Sequence, residues 1–204
     1  MQQARAKAGG ETEDKAMTYE MAPVQILQSS GSARTQPISQ LRHQCSCLRI
    51  ALRCLDRLLC VGLLKGAVCF MVDLLRHLTV PYEMDFMVLS SYGNKTSSSG
   101  TVKLKKDLGV NPEGRHLLIV EDLIDTGGTL KWLKEYLSEK RAASVRIACL
   151  LNKSAGRRAD LRDLKVDFVG DECPDEFVVG YGMDFAGEYR CMPFVGVLKK
   201  SAYA

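Results

Sequence analysis

One continuous stretch, HLLIVEDLIDTGGT at residues 116–129, constrains the fold of this chain more than any other feature. It begins with a short apolar run, which is typical of a strand buried on both faces of a parallel sheet. Two adjacent carboxylates, Glu121 and Asp122, follow the run, and a loop of small residues then leads into a helical pattern. The order strand, loop, helix predicts an α/β unit with the loop at the carboxyl end of a strand.

The loop at residues 125–129 has the composition of a phosphate site. Gly127 and Gly128 let the backbone approach an anion closely, and the helix that follows offers unpaired N–H groups and a positive dipole end. Thr126 and Thr129 add hydroxyl donors. A phosphate would repel the neighbouring carboxylates, which suit vicinal sugar hydroxyls, directly or through a divalent cation. Together these groups predict a site for ribose 5-phosphate.

The alternative for this stretch is a purely structural role, as a strand–turn–helix corner in which Asp125 and a threonine only cap the helix. A lone pair of glycines would favour that alternative, but the whole string is more specific. Neither GxGxxG nor GxxxxGK[ST] occurs in the chain, so the spacing excludes those two nucleotide-binding loops.

Strand and helix patterns alternate over the rest of the chain, which predicts an α/β fold with a mainly parallel sheet flanked by helices. A helix is expected to begin at Gly66 and to end at Pro81, and a second to span 127–139 with Leu130, Leu133 and Leu137 inward. Strands are expected at 58–63, 83–91, 101–104, 116–120, 145–151, 166–170, 177–179 and 194–198, with a polar loop at 92–100.

Composition excludes several classes of function. The net charge of +4 is mild and the basic residues are interleaved with acidic ones, so we expect no nucleic-acid binding. No apolar run reaches membrane-spanning length. The eight cysteines are scattered and no secretory signal is recognisable, which favours reduced thiols in the cytoplasm. His43-x-Cys45-x-Cys47 has no second ligand pair at zinc spacing, so a metal there is disfavoured.

Residues 1–40 are rich in Gln, Ser, Ala and Gly and show no sustained apolar period. We expect them to form a poorly ordered extension and residues 41–204 to form the domain. From residue 41 onward, one helix face could be shared by Leu48, Ala51, Cys54, Leu55 and Leu58, although Leu58 also fits the start of the expected strand at 58–63.

Five motifs together resemble one known family. They are LLKGA (63–67), DFMVLSSYG (85–93), VEDLIDTGGT (120–129), LLNKSAGRR (150–158) and DEFVVGYGMDFAGEYR (175–190). The chain is identified on these motifs as similar to the type I phosphoribosyltransferases, and most to their hypoxanthine-guanine branch of bacterial type. The resemblance runs from about Leu58 to Lys199. It implies the fold of that family, with a small hood built from N- and C-terminal segments, and a homodimer or homotetramer.

The resemblance also implies a reaction: phosphoribosyl diphosphate and hypoxanthine or guanine give IMP or GMP and diphosphate, with Mg²⁺, in purine salvage. On the phosphoribosyl side, Lys65, Gly66 and Arg190 would contact diphosphate. Ser91 and Tyr92 would begin a loop that closes over the site. Glu121 and Asp122 would serve the ribose hydroxyls, and residues 125–129 the 5-phosphate; the metal would be held by Glu121, Asp122 and Asp184.

On the purine side, the resemblance implies that Lys153 donates to the 6-oxo group, which favours hypoxanthine or guanine over adenine. Phe177 would stack on the ring, Val178 would offer its backbone, and Asp184 would lie near the base. Asp125 would be the catalytic base for the purine N7 proton. Taken alone, Lys153, Phe177, Asp184 and Arg190 would each more often be structural.

The chain departs from the family before residue 57, where the Ser/Gln-rich stretch replaces the expected helical region. Asp171 and Cys173 stand where the family has apolar residues, and a charge there would loosen the hood. Two alternatives therefore stay open beside the enzyme. One is a regulatory protein of the same fold that binds phosphoribosyl diphosphate and contacts nucleic acid, and the other is an inactive relative.

Overall fold

The computed structural model describes residues 58–92 and 101–202, and the backbone of a short strand at 24–26. The strands are β1 (Val24–Ile26), β2 (Leu58–Leu64), β3 (Tyr82–Tyr92), β4 (Thr101–Lys106), β5 (His116–Ile124), β6 (Ser144–Asn152), β7 (Phe168–Glu172), β8 (Val178–Val179) and β9 (Gly196–Leu198). The helices are α1 (Val68–Leu75) and α2 (Gly128–Glu139). Among these residues no helix has the length and apolar character needed to cross a membrane.

Six strands form one sheet in the order β4-β3-β2-β5-β6-β7. Every neighbouring pair from β3 to β7 is parallel, and only β4 runs antiparallel, at one edge. The carboxyl ends of the parallel strands therefore meet at one edge of the sheet, where open α/β sheets bind their ligands. The predicted mainly parallel sheet is confirmed.

Successive residues of the central strands pack on opposite faces of the sheet. In β2, Leu58 and Cys60 join the apolar cluster under α1, whereas Leu59 and Val61 join the cluster under α2. The expected inward residues of α2 are all buried: Leu130, Leu133 and Leu137. Both faces of the sheet are thus covered, which is why its strands read as continuous apolar runs.

A second sheet has three strands in the order β1-β9-β8, of which β8 and β9 come from the C-terminal part of the chain and β1 from the N-terminal part. A cluster of Leu151, Cys173, Val178 and Met183 joins it to the end of β6. Its strand β1 belongs to the segment expected to be poorly ordered, and it pairs with β9 from Val24↔Leu198 to Ile26↔Gly196. The other expectations for residues 1–57 lie outside the described residues, so the proposed domain boundary stays a prediction.

Strand β5 and helix α1 depart most from their predicted bounds. Strand β5 does not stop at Val120 but continues to Ile124, because its pairing with β6 persists from Glu121↔Cys149 to Ile124↔Asn152. Helix α1 begins at Val68 and ends at Leu75, well before Pro81. Asp171 is exposed and accepts the backbone N–H of Glu172 at 2.9 Å, and the expected effect of its charge on the hood stays a prediction.

Candidate active site

Chain segments that follow three neighbouring strands come together at the carboxyl edge of the sheet. Lys65 follows β2, residues 125–129 follow β5, and Lys153 follows β6. The N–H of Lys153 donates to the carbonyl of Ile124 at 2.8 Å, which joins the last two of these segments directly. The sheet topology thus gathers side chains that are far apart in sequence.

The small-residue loop takes the shape that an anion site needs. Gly127 precedes α2 with φ +86°, in the left-handed region that residues with a side chain avoid. Its carbonyl accepts the N–H of Lys131 at 3.0 Å, so the helical hydrogen bonds begin at this loop, and the first N–H groups of α2 have no partner within the helix. Thr126 and Asp125 are exposed beside them. The loop therefore presents backbone and hydroxyl donors at the positive end of a helix dipole.

The two adjacent carboxylates lie in different surroundings because they belong to a strand. Glu121 pairs in register with Cys149, which belongs to the cluster under α2. Asp122 instead packs against Gly66 in the turn before α1, so close that any side chain at position 66 would collide with its carboxylate. The two side chains therefore point to opposite faces of the sheet at its carboxyl edge.

Burial makes the charged forms of both carboxylates unfavourable. Burial, reinforced by the charge of Asp122, raises the pKa of Glu121 well above its ordinary value. Burial also raises the pKa of Asp122; the hydrogen bond from Leu123 N–H and the charge of Arg190 oppose that rise, and Asp184 adds to it. Such a pair of oxygen donors is better satisfied when a cation or a hydroxyl donor binds.

The donor set is suited to Mg²⁺. Oε2 of Glu121 is buried and has no hydrogen-bond partner among the described residues. No three His, Cys, Asp or Glu side chains of this part of the chain converge into a complete metal cluster. Mg²⁺ does not need one, because it commonly binds to one or two carboxylates and completes its shell with water and substrate phosphates.

A second pair of loops meets beside Asp122. Gly182, at φ +103°, packs so closely on the carbonyl of Gly66 that a side chain there would collide with it. Arg190 donates through Nη1 to the carbonyl of Gly182 at 2.6 Å and pairs through Nη2 with Asp184 at 2.6 Å. Lys65 is exposed on the same turn as Gly66. The structure therefore brings Lys65, Asp122 and the Asp184–Arg190 pair together, and the roles expected of them stay predictions.

Lys153 and Asp125 meet on the other side of the loop. Lys153 is only 8% exposed, unusual for a lysine. Asp125 packs on Gly156, where any side chain would collide with Oδ1 of its carboxylate. Burial raises the pKa of the Cys173 thiol, which the charge of Lys153 lowers and that of Asp125 raises, so both charges lie near the same thiol. A cation and a carboxylate thus face one region.

Phe177 directly precedes β8 of the small sheet. Its ring is 38% exposed and meets Phe185 edge to face, with 5.4 Å between the ring centroids. The carbonyl of Phe177 accepts the N–H of Leu198 at 2.8 Å, which fixes the backbone just before β8. Val178 buries its side chain in the cluster that joins the two sheets. An exposed aromatic ring of this kind suits a flat heterocycle.

Ser91 and Tyr92 end β3 and pair with Val102 and Thr101 of β4. The polar loop that follows, at 93–100, lies outside the described residues. The role predicted for these residues, the start of a loop that closes over the site, therefore stays a prediction.

Sequence reasoning missed two arginines, Arg157 and Arg158. Arg157 donates through Nη2 to Oδ1 of Asn152, and its Cδ lies 3.0 Å from where a Cβ of Gly127 would stand. The N–H of Arg158 donates to the carbonyl of Thr126 at 3.3 Å. The motif LLNKSAGRR contained both residues, but nothing in their spacing showed that the loop folds back onto the small-residue loop.

Comparisons with known proteins agree with this arrangement. A family model described as "Phosphoribosyl transferase domain" matches residues 53–186. The hypoxanthine-guanine phosphoribosyltransferase of Bacillus subtilis (strain 168) is 54% identical over 145 residues, which cover 71% of this chain and 79% of that protein. A protein of the same name from Streptococcus agalactiae is 49% identical over 146 residues, which cover 72% of this chain and 79% of its own.

Solved structures give the same result. A hypoxanthine phosphoribosyltransferase from Staphylococcus aureus superposes with a TM-score of 0.74 at 36% identity and covers 91% of this chain and 94% of its own. A variant of the Trypanosoma cruzi enzyme, complexed with its product IMP, gives a TM-score of 0.77 at 32% identity, with 91% and 94% covered.

Proposed function

Because this chain belongs to the phosphoribosyltransferase family, in the branch of the hypoxanthine-guanine enzymes, we propose that it transfers the phosphoribosyl group of 5-phosphoribosyl 1-diphosphate to hypoxanthine or guanine. The products are IMP or GMP and diphosphate, and the process is purine salvage. The observation that carries the proposal is the meeting of a phosphate loop, a buried lysine and a carboxylate at one sheet edge.

The phosphoribosyl diphosphate binds along the carboxyl ends of β2 and β5. Residues 125–129 hold the 5-phosphate with N–H groups and the hydroxyls of Thr126 and Thr129. Lys65 and the N–H groups of its turn hold the diphosphate, and Arg190 adds a fixed guanidinium, since Asp184 and the Gly182 carbonyl already orient it.

The purine binds between Lys153 and Phe177. The ammonium of Lys153 donates to the 6-oxo group, and the amino group of adenine would be a poor partner for it. Phe177 stacks on the purine ring, and the backbone at Val178 forms hydrogen bonds with the edge of the purine. Asp125 accepts the N7 proton as N9 bonds to the sugar carbon and the bond from that carbon to diphosphate breaks. The carboxylate is exposed and lies over Gly156, which leaves it open to a partner from outside and supports this role.

Glu121, Asp122 and Asp184 do not converge on one point in the described part of the chain, so each would contact Mg²⁺ directly or through water once the substrate is bound. When bound, the ion neutralises the charge that develops on the leaving diphosphate. The unpartnered, buried Oε2 of Glu121 and the raised pKa of both strand carboxylates support this assignment.

We further propose that the protein acts in the cytoplasm, as a homodimer or homotetramer. Its buried thiols Cys60 and Cys149 are free, as expected in a reducing compartment. Val68 and Val72 leave an apolar strip on the outer face of α1 that suits a subunit contact.

A diphosphate-release assay tests the proposal. The protein is incubated with Mg²⁺, phosphoribosyl diphosphate and each purine in turn. We expect release with hypoxanthine or guanine and little with adenine. Absence of release with every purine would reject the proposal and favour the regulatory or inactive alternatives, which would still bind phosphoribosyl diphosphate. The buried Lys153 favours the enzyme, since a protein that reads only phosphoribosyl diphosphate has no need of it.

A further inference from the structure

The phosphate loop lacks a cation of its own. A phosphate monoester carries about 1.5 to 2 negative charges at neutral pH. Residues 125–129 contribute a carboxylate, two hydroxyls and two glycines, and no basic side chain. The helix end supplies only about half a positive charge. An electrostatically balanced site therefore needs a cation from another part of the chain.

Arg158 reaches the loop from the segment that follows β6. Its N–H donates to the carbonyl of Thr126 at 3.3 Å, which places the two backbones side by side. Its Nη1 lies 3.9 Å from the point where a Cβ of Gly128 would stand, and Oγ1 of Thr126 lies 3.9 Å from the same point. A guanidinium and a hydroxyl therefore flank the same open position above the loop.

Asp160 fixes the direction of this guanidinium. It accepts Nε of Arg158 at 3.0 Å and Nη2 at 2.8 Å, so both donors on one side of the fork are occupied. The remaining nitrogen, Nη1, lies on the side of the guanidinium that faces the loop. The pair is solvent-exposed and adds little stability, yet it preorganises a side chain that would otherwise sample many rotamers.

Two neighbouring cations are less suited to this role. Arg157 donates through Nη2 to Asn152, and its Nη1 lies 3.6 Å from where a Cβ of Gly127 would stand, so its fork borders the loop at Gly127 and not at Gly128. Lys131, in the first turn of α2, is exposed, and its charge acts on Asp160. Neither of them has a donor as close to the position above Gly128.

We propose that Arg158 is the cation that binds the 5-phosphate, held in position by Asp160. The inference rests on the proposed function and deepens it, because it names the residue that recognises the phosphate charge, which a nucleotide carries and a nucleoside lacks. A fixed guanidinium favours a phosphate dianion over a neutral 5-hydroxymethyl group.

The test compares Arg158→Gln with Lys131→Gln and with Arg141→Gln. Arg141 is a matched control, since it is exposed, pairs with Glu113 and lies at the opposite end of the sheet. For each variant the inhibition constants of IMP and inosine are measured, together with KM for phosphoribosyl diphosphate and for hypoxanthine. Thermal unfolding verifies that the variants fold.

We expect Arg158→Gln to weaken IMP binding and to raise KM for phosphoribosyl diphosphate, each by about tenfold, while inosine and hypoxanthine change little. Arg158→Lys should recover part of the loss. Unchanged IMP binding in Arg158→Gln, or a larger loss in Lys131→Gln, would overturn the assignment of Arg158. A wild-type protein that binds IMP no better than inosine would instead overturn the proposed function, and this inference with it.

Discussion

At the scale of single residues, the backbone of the phosphate loop depends on Gly127. The residue lies at φ +86°, and an added Cβ would approach Cδ of Arg157 to 3.0 Å and a methyl of Leu164 to 3.2 Å. The positive φ would strain any residue with a side chain, and the two close contacts would crowd its Cβ. Both effects act where the substrate phosphate is to bind.

Gly127→Ala should therefore lower the free energy of unfolding by about 1–2 kcal/mol and raise KM for phosphoribosyl diphosphate. Gly114→Ala is the matched control, because Gly114 has φ +67°, with open space around its Cα and a position far from the site. It should lose similar stability and keep its KM. Chemical denaturation and steady-state kinetics measure both quantities, and equal KM values for the two variants would contradict the role of the loop.

Asp125 is expected to act on a proton rather than to bind nucleotide. Asp125→Asn keeps the shape of the side chain over Gly156 but removes the base, so kcat should fall by about 100-fold or more while the dissociation constant of IMP changes little. Asp163→Asn, at an exposed aspartate between β6 and β7, serves as the control. Parallel losses in turnover and binding would mean that Asp125 is a ligand and not the base.

The composition of the loop made it predictable, because glycines, threonines and a following amphipathic helix are local signals. The role of Arg158 was not predictable in this way. Its contact with Thr126 and Gly128 joins residues about thirty positions apart, and only the packing of the segment after β6 creates it. Glu121 and Asp122 were recognised as site residues, but their opposite orientations follow from a strand longer than the apolar run suggested.

At the scale of elements, Asp85 holds the β3–β4 hairpin to the segment that follows it. Its carboxylate accepts the N–H of Phe86 at 2.7 Å and of Gly109 at 2.6 Å, and it pairs with Lys106 at 3.3 Å. Burial raises the pKa of Asp85, but these three donors outweigh burial and hold the pKa below its ordinary value.

A carboxyl whose folded-state pKa is lowered stabilises the fold above its unfolded pKa and loses that contribution as pH falls through the folded pKa. Asp85→Asn should therefore cost about 1–3 kcal/mol at neutral pH, and the difference from wild type should shrink below about pH 4. Urea denaturation across pH measures this difference. A constant difference down to the lowest accessible pH would contradict the electrostatic explanation and indicate a steric one.

The elements were predictable to different degrees. Strands β2, β5 and β6 were readily recognised because parallel strands buried on both faces form continuous apolar runs. The ends of α1 were misplaced, since apolar residues continue at helical spacing to Leu78 although the helix stops at Leu75. The pairing of β1 with β9 joins chain segments far apart in sequence, and no local sequence pattern indicates such a contact.

At the scale of the whole molecule, the sheet and its two helices should respond to denaturation as one unit, because both apolar clusters share the central strands. The thiols of Cys60 and Cys149 report on them, one in each cluster. Burial raises the pKa of Cys60 to about 12 and also raises that of Cys149.

In the native protein at about pH 8, we therefore expect an alkylating reagent to modify the exposed Cys191 and to leave Cys60 and Cys149 unmodified. Both buried thiols should become reactive at the same denaturant concentration. Peptide mapping by mass spectrometry follows each site separately. Modification of either buried thiol well before the other would show that the two faces of the sheet unfold independently.

The central claim is that one sheet edge holds a phosphoribosyl donor and a 6-oxopurine together and joins them. The most direct measurement identifies the products formed by the wild-type protein from hypoxanthine, phosphoribosyl diphosphate and Mg²⁺, by chromatography and mass. The account predicts IMP and diphosphate in equal amounts. Diphosphate accompanied by ribose 5-phosphate, with no IMP, would contradict it, because the site would then hydrolyse the donor without transferring it to the purine.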